Sequence, residues 1–230
     1  MGIAALDEMM AGGLPMGHSL LVSGPSGSGK TQLATAFLAE GVHSGEAGVI
    51  VAFDSSPSRS PNRQLEEMVA AGDVGVISTR ALDLSIDETL FDLTQMVHKM
   101  NARRVVIDSL SGLELALAPE FREDFRESLY RMVNQLTMHG VSVLLTSELE
   151  DRYTDFRFSP YGSAFLTDAI IVQRYIEIEG QIRRVMAVVK IRASAHSHAI
   201  HEYHISDDGI GIGAALTEYS GLLSGHPRAH

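Results

Sequence analysis

The sequence predicts an α/β fold in which a mostly parallel, twisted sheet is flanked by helices and carries an antiparallel extension at its C-terminal end. Short apolar runs alternate with segments of helical periodicity before Thr167, an order that is typical of a parallel sheet. After Thr167 the pattern changes to alternating strands with turns at residues 179–180 and 207–209. The 230 residues, 45% of them hydrophobic, suffice to bury one core, and we expect residues 1–230 to form a single domain.

The elements of the parallel part can be placed in order. Residues 19–22 form a predicted strand that leads into a glycine-rich loop, and residues 31–40 follow as a helix. A capping box and apolar positions that step by three and four predict a helix over residues 84–100. A further helix ends near Gly140. The other strands are predicted at residues 49–53, 74–77, 104–108 and 141–145.

The charge, the cysteine content and the first residues of the chain argue against several classes of protein. The formal net charge of −11 opposes diffuse attraction to nucleic acid or anionic lipid, because binding a polyphosphate depends on many Lys and Arg side chains. The chain has no cysteine, which excludes a disulfide framework and thiolate ligation of zinc and fits a reducing cytoplasm. The first residues lack the basic segment and long apolar run of a signal peptide. We therefore expect a cytoplasmic protein without a membrane partner, for which nucleic acid is a disfavoured ligand.

Residues 24–31 carry the pattern of a phosphate-binding loop. The segment reads Gly24-Pro25-Ser26-Gly27-Ser28-Gly29-Lys30-Thr31, which matches G-x-x-x-x-G-K-T between a strand and a helix. Its glycines allow successive N–H groups to turn toward phosphate oxygens at the positive end of the following helix. Lys30 is expected to bridge the β- and γ-phosphates, and the Thr31 hydroxyl to ligate Mg²⁺. The pattern predicts ATP and Mg²⁺ as ligands, against the alternative of a glycine-rich turn that binds nothing.

Two aspartates follow predicted strands at the edge where a phosphate-binding loop lies. Asp108 ends the strand at residues 104–108, where a carboxylate can hold the metal directly or through water. The alternative is an ordinary aspartate at a strand end. Asp54 follows the strand at residues 49–53 and could orient the water that attacks the γ-phosphate. An Asx-type turn with Ser55 would fit Asp54 equally well.

Several motifs occur together in the order of one known family. They are Gly2-Ile3, Leu6-Asp7-Glu8, Gly12-Gly13-Leu14-Pro15, the phosphate-binding loop, Phe53-Asp54-Ser55-Ser56-Pro57, Val106-Ile107-Asp108-Ser109-Leu110, Leu145-Thr146-Ser147-Glu148, Lys190-Ile191-Arg192-Ala193-Ser194-Ala195-His196, Ile205-Ser206-Asp207-Asp208-Gly209-Ile210 and Leu223-Ser224-Gly225. Over nearly its whole length the chain resembles a KaiC-type ATPase domain of the RecA superfamily of P-loop NTPases. The resemblance implies a RecA-like P-loop fold, ATP hydrolysis, assembly into a ring that is usually a hexamer, and signalling through protein partners.

The resemblance also implies functional residues near the C-terminal end. Lys190 and Arg192 would reach across a subunit interface to the γ-phosphate held by a neighbouring protomer, and His196 would lie near the shared nucleotide. Cations supplied in this way stabilise charge on the transferring phosphoryl group and make turnover depend on assembly. The alternative is two exposed basic residues at a spacing of two on one face of an edge strand.

Two departures from the family pattern change what we expect of the chemistry. The family usually has a pair of glutamates where this chain has Asp54 and Ser55, so hydrolysis is expected to be slow. In the clock member of the family, a Ser-Thr phosphoacceptor pair precedes a Thr-Asp that aligns with Thr167 and Asp168. The acceptor positions here are Ala164 and Phe165, neither of which can accept phosphate. Autokinase activity at that site is therefore not expected.

Other interpretations remain open at this point. A recombinase-like motor acting on DNA would need a basic channel. The aromatic segment at residues 153–165 is accompanied by Arg152 and Arg157 but also by Asp151 and Asp155. The altered pair after residue 53 would also suit a nucleotide-dependent scaffold with little catalysis. The chain could be one half of a longer or tandem protein. Four histidines lie close together in the sequence, namely His196, His198, His201 and His204. A zinc site is nevertheless disfavoured, because no cysteine or clear carboxylate accompanies them as a further ligand.

Overall fold

A computed structural model describes residues 1–53, 62–78, 86–116, 125–149, 166–192, 194–206, 209–224 and 227–229. The described strands are β1 (Ser19–Gly24), β2 (Gly48–Ala52), β3 (Val74–Ser78), β4 (Arg104–Asp108), β5 (Ser142–Glu148), β6 (Ala169–Ile178), β7 (Gln181–Ile191), β8 (His201–Ser206), β9 (Gly209–Ala215), β10 (Tyr219–Ser220) and β11 (Arg228–Ala229). The described helices are α1 (Ala4–Met9), α2 (Lys30–His43), α3 (Arg63–Ala71), α4 (Ile86–Met100), α5 (Leu110–Ala116) and α6 (Phe125–Met138). Strands and helices alternate from β1 to β4, and two helices, α5 and α6, lie between β4 and β5. The predicted helices correspond to α2, α4 and α6, whereas α1, α3 and α5 were not predicted.

One nine-stranded sheet organises the molecule, with the strand order β3-β2-β4-β5-β1-β6-β7-β8-β9. The pairs from β3 to β6 are parallel. The pairs from β6 to β9 are antiparallel. The predicted fold class is thus confirmed: a parallel sheet carries an antiparallel extension at one edge. In parallel sheets the carboxyl ends of the strands meet at one edge, which is where ligands bind.

Helices cover both faces of the parallel part. Leu21 of β1 packs in a cluster with residues of α4 and α6, among them Leu93 and Leu129. Leu20 and Val22 of the same strand pack on the opposite face, in a cluster with residues of α1, α2 and α3. Because successive side chains of a strand point to opposite faces, apolar residues at consecutive positions indicate burial on both faces.

Two central strands are longer than their apolar runs. The prediction ended the first strand at residue 22 and the later one at residue 145, where polar residues begin. In the structure β1 and β5 pair as far as Gly24 with Glu148. Ser23, Thr146 and Ser147 are fully buried there. Apolar periodicity could not reveal these polar ends, because their backbone groups are satisfied by pairing with strands that are distant in the sequence.

None of the described helices combines the length and apolar character needed to cross a lipid bilayer. The longest of them are α4, with 15 residues, and α2 and α6, with 14 each. A transmembrane helix needs about 20 apolar residues.

Candidate nucleotide-binding site

An open cleft of about 620 Å³ lies at the carboxyl ends of the parallel strands. Its lining includes Gly27, Gly29 and Lys30 from the phosphate-binding loop, which joins β1 to α2. The ends of β4 and β5 contribute Asp108 and Glu148. The structure therefore brings together the loop and the strand-end aspartate that the sequence singled out, from separate βα units.

The loop backbone depends on glycine at two positions. Gly27 and Gly29 have φ angles of 75° and 95°. These lie in the left-handed region of backbone conformation, which residues other than glycine rarely adopt. A Cβ atom on Gly29 would also lie 2.6 Å from Cδ1 of Ile205. Any larger residue at position 29 would therefore strain the backbone and displace Ile205.

Lys30 is buried within the loop, with its side chain folded back onto the loop carbonyls. Its Nζ donates hydrogen bonds to the carbonyl oxygens of Gly24 at 2.9 Å and of Pro25 at 2.8 Å. Burial lowers the pKa of Lys30, while the carboxylates of Glu148 and Asp108 act in the opposite direction. The loop thus holds a partly desolvated ammonium group against its carbonyl oxygens, and a positive charge at this position is suited to an anion.

Thr31 and Asp108 meet at the edge of the cleft. The Thr31 hydroxyl donates a hydrogen bond of 2.8 Å to Oδ2 of Asp108. The other carboxylate oxygen, Oδ1, accepts a hydrogen bond from the Thr146 hydroxyl. A hydroxyl and a carboxylate are hard oxygen donors of the kind Mg²⁺ prefers, and the ion usually takes its other ligands from phosphates and water. The residues present therefore fit a magnesium ion bound together with a nucleotide.

Lys190 and Arg192 lie at the opposite end of the central strands. Lys190 pairs with Ile170 near the start of β6, and Leu20 near the start of β1 pairs with Ala169. The phosphate-binding loop begins at the other end of β1, about 13 Å further along at the usual strand rise. Neither cation is among the residues that line the cleft of its own chain.

Both cations are anchored where they lie. Nζ of Lys190 donates a hydrogen bond to the carbonyl oxygen of Thr167. Arg192 lies 3.5 Å from Oδ1 of Asp168. Burial and the neighbouring Arg192 lower the pKa of Lys190, against the opposing effect of Asp168. Two positive groups are therefore held close together at this end of the sheet.

His196 lies in the segment between β7 and β8. Its ring packs edge-on against His198 with 4.7 Å between the ring centroids. The next residue, Ser197, donates its N–H to the carbonyl oxygen of Met9 in α1. His196 is not among the residues that line the cleft, and its place near a shared nucleotide stays a prediction. Within the described ranges, no three His, Cys, Asp or Glu side chains are grouped as a metal site would require.

Several sequence-based predictions fall on residues outside the described ranges. Asp54 and Ser55 do, and so do Ala164, Phe165 and the aromatic segment at residues 153–165. The structure therefore leaves their roles as predictions.

Three residues that bind the phosphate-binding loop through side-chain hydrogen bonds were not predicted from the sequence. Gln173 of β6 accepts a hydrogen bond of 3.0 Å from the Ser28 hydroxyl. Tyr175 of β6 donates its hydroxyl to the carbonyl oxygen of Ser26 at 3.3 Å, and Tyr203 of β8 donates to the carbonyl oxygen of Ser28. These pairs are separated by at least 145 residues of sequence, so no local pattern signals them.

Comparison with known proteins identifies the family. Residues 1–217 match the protein-family model described as "ATPase: KaiC". The chain belongs to the KaiC family of ATPases. Membership of this family implies ATP hydrolysis as the general activity, and the P-loop and Asp108 occupy the cleft that such an activity requires.

The relatives of this KaiC-family chain are distant but match along its whole length. A circadian clock protein KaiC3 from Synechocystis is 28% identical over 232 residues, covering 98% of this chain and 45% of the relative. A circadian clock oscillator protein KaiC from Rippkaea orientalis is 26% identical and is covered to 44%. The chain thus spans less than half the length of these curated relatives. The crystal structure of a KaiC-like protein from Pyrococcus horikoshii superposes with a TM-score of 0.81 at 27% identity, covering 93% of this chain and 97% of that one.

Proposed function

We propose that this chain binds ATP with Mg²⁺ in the cleft and hydrolyses it slowly, as one subunit of a KaiC-like ring. The observation that carries the proposal is the contact between the Thr31 hydroxyl and Asp108 beside the P-loop. A P-loop alone predicts phosphate binding, whereas a hydroxyl and a strand-end carboxylate in contact add the donors that a nucleotide-bound metal uses.

Different residues of the cleft would bind the phosphates and the metal ion. The N–H groups of the loop and the ammonium group of Lys30 attract the phosphates, and Thr31 with Asp108 would hold the metal. When bound, Mg²⁺ neutralises charge on the β- and γ-phosphate oxygens. Thr146 fixes the Asp108 carboxylate by donating to the oxygen that Thr31 does not contact. Such a support restricts the carboxylate to one orientation before the metal arrives.

Asp108→Asn is expected to lower the rate of phosphate release and to raise the Mg²⁺ concentration needed for half of that rate, by on the order of 10- to 100-fold. The amide keeps the shape of the carboxylate but loses its negative charge. The measurement is phosphate release at fixed ATP across a range of Mg²⁺ concentrations. Asp92→Asn, on the exposed face of α4, is the matched control. A variant whose magnesium dependence equals that of the wild type would remove Asp108 from the metal site.

We further propose that Asp54 orients the attacking water, because it follows β2 and the neighbouring strand β4 ends in Asp108. Asp54→Asn is then expected to lower hydrolysis by on the order of 10²-fold while ATP binding stays intact. Ser55→Glu, which restores the family's second carboxylate, is expected to raise hydrolysis. Phosphate release and ATP binding are measured separately on each variant. Equal turnover in Asp54→Asn and the wild type would contradict this role.

The ring is proposed from the position of Lys190 and Arg192. They lie about one strand length from the P-loop of their own chain, so a role on a γ-phosphate requires the phosphate of a neighbour. A closed hexamer would give every nucleotide such a neighbour, with His196 near the shared site. Because curated relatives are clock proteins, we propose protein partners in signalling as the output of this assembly.

A further inference from the structure

Several carbonyl oxygens of the P-loop accept hydrogen bonds, and three of the donors, in Leu33, Tyr175 and Tyr203, do not line the cleft. Lys30 holds those of Gly24 and Pro25, and the N–H of Leu33 in α2 donates to the carbonyl oxygen of Gly29 at 3.0 Å. Two further carbonyls are held by tyrosines, that of Ser26 by Tyr175 and that of Ser28 by Tyr203. The two tyrosine hydroxyls therefore bind the loop from outside the cleft, whereas Lys30 binds it from within.

The two tyrosines belong to one row of side chains across the extension. In the strand register Tyr175 of β6 is opposite Arg184 of β7, and Arg184 is opposite Tyr203 of β8. Directly opposed residues share a face of the sheet. The guanidinium carbon of Arg184 lies 5.6 Å from the centre of the Tyr175 ring, within the range of a cation–π contact. The tyrosines at the two ends of this Tyr-Arg-Tyr row contact the P-loop, and Arg184 between them lines the cleft.

A hydrogen bond to a carbonyl also fixes the neighbouring N–H. The peptide unit is planar and trans, so the C=O of one residue and the N–H of the next point in opposite directions. A donor that holds the Ser28 carbonyl from outside the cleft therefore turns the Gly29 N–H toward the cleft. The same relation joins the Ser26 carbonyl to the Gly27 N–H. Gly27 and Gly29 both line the cleft.

We propose that Tyr175 and Tyr203 are positioning residues, whose hydroxyls aim the N–H groups of Gly27 and Gly29 at the phosphates of the nucleotide. The proposal rests on the proposed function, since it assumes that the cleft binds a polyphosphate. It gives the C-terminal extension a task within its own subunit, in addition to carrying the cations proposed to act on a neighbour. The two tyrosines would act through the loop, since neither of them lines the cleft.

The surroundings of Tyr203 suit this task. Tyr203 is 3% exposed and packs in the cluster that includes Leu33 and Phe37 of α2. Burial raises the pKa of Tyr203, so the hydroxyl keeps its proton and stays a donor. The Ser28 hydroxyl is held separately by Gln173. The peptide between Ser28 and Gly29 is thus restrained from two strands before any ligand binds, which lowers the entropy cost of binding.

The test compares Tyr203→Phe and Tyr175→Phe with the wild type in calorimetric titrations of ATP and of inorganic tripolyphosphate. Each substitution removes one hydroxyl and keeps the ring, so each is expected to weaken binding about fivefold, and the double variant by about the product. The loss should be equal for both ligands, because the affected N–H groups bind only phosphate. Tyr219→Phe, on β10 and outside the cleft, is the control and is expected to bind both ligands as the wild type does.

A spectroscopic measurement separates positioning from general destabilisation. Labelling with ¹³C-serine and ¹⁵N-glycine selects amides that follow a serine, which include those of Gly27 and Gly29. In Tyr203→Phe the change of the Gly29 amide shift on adding tripolyphosphate should shrink, while Gly27 keeps its response; Tyr175→Phe should do the reverse. If Tyr203→Phe does not fold, Tyr175→Phe carries the test alone, because its ring is only partly buried.

The possible failures can be told apart. Wild-type affinity in both variants, or a Gly29 response unchanged in Tyr203→Phe, overturns the positioning role while leaving the proposed function intact. Weaker binding of ATP with unchanged binding of tripolyphosphate also overturns it, since the loss would then not lie at the phosphates. A wild-type protein that binds neither ligand overturns the proposed function and the positioning role together.

Discussion

Lys30→Ala is expected to abolish measurable binding of ATP and ADP. In the structure Nζ of Lys30 donates to two loop carbonyls, and a bound nucleotide would replace one or both of these partners with phosphate oxygens. Hydrogen bonds to charged groups are worth about 1.5–3 kcal/mol each. Losing two of them corresponds to a fall in affinity of on the order of 10²- to 10⁴-fold. This is the largest effect on binding that we expect from a single substitution in the cleft.

The measurement is isothermal titration of the variant with ATP and ADP in the presence of Mg²⁺. Circular dichroism should show an unchanged fold, because α2 begins at position 30 and alanine is a good helix former. Lys99→Ala in α4 removes an exposed lysine from another helix and should bind like the wild type. A Lys30→Ala protein that binds ATP as tightly as the wild type would show that the nucleotide site is elsewhere.

Arg192→Ala is expected to lower ATP turnover by on the order of 10³-fold in the assembled ring, with a much smaller effect on ATP binding. Arginine can donate two parallel hydrogen bonds to phosphate. These bonds stabilise the charge on a transferring phosphoryl group most strongly in the transition state. Lys190, a point charge, should affect binding and turnover more evenly when it is replaced. Because both residues lie far from their own P-loop, a role on a γ-phosphate would make the effect depend on a neighbouring subunit.

Mixing two defective proteins tests this dependence. Lys30→Ala protomers lack a working P-loop but keep Arg192, while Arg192→Ala protomers have the opposite defect. In mixed rings some intact P-loops lie beside an intact Arg192, so activity should reappear that neither protein shows alone. Light scattering with and without Mg-ATP establishes that rings form, and energy transfer between differently labelled protomers establishes that the two proteins mix. Arg63→Ala, an exposed arginine on α3, should keep full activity in the same assay.

Two outcomes would refute the action in trans. The first is no recovery of activity in rings shown to be mixed. The second is full activity of the Arg192→Ala protein by itself. A protein that stays monomeric with Mg-ATP and still hydrolyses it would likewise remove the ring from the mechanism.

The sequence alone was sufficient for the local features of the site. The G-x-x-x-x-G-K-T spacing located the loop, because the glycine torsions and the strand-loop-helix order are set by neighbouring residues. The apolar run before Asp108 located a carboxylate at a strand end, and β4 has the predicted bounds. The change from helical periodicity to alternating strands located the antiparallel extension. Each of these signals lies within a short stretch of chain.

The tertiary structure alone decided which distant residues complete the site. Thr146 reaches Asp108 because β5 lies beside β4, and Tyr175 and Tyr203 reach the loop because β6 to β8 continue the sheet beyond β1. The same strand order places Lys190 at the end of the sheet away from its own P-loop. Strand order and register arise from contacts between segments far apart in the chain. The periodicity of one segment therefore does not indicate which strands it pairs with in the sheet.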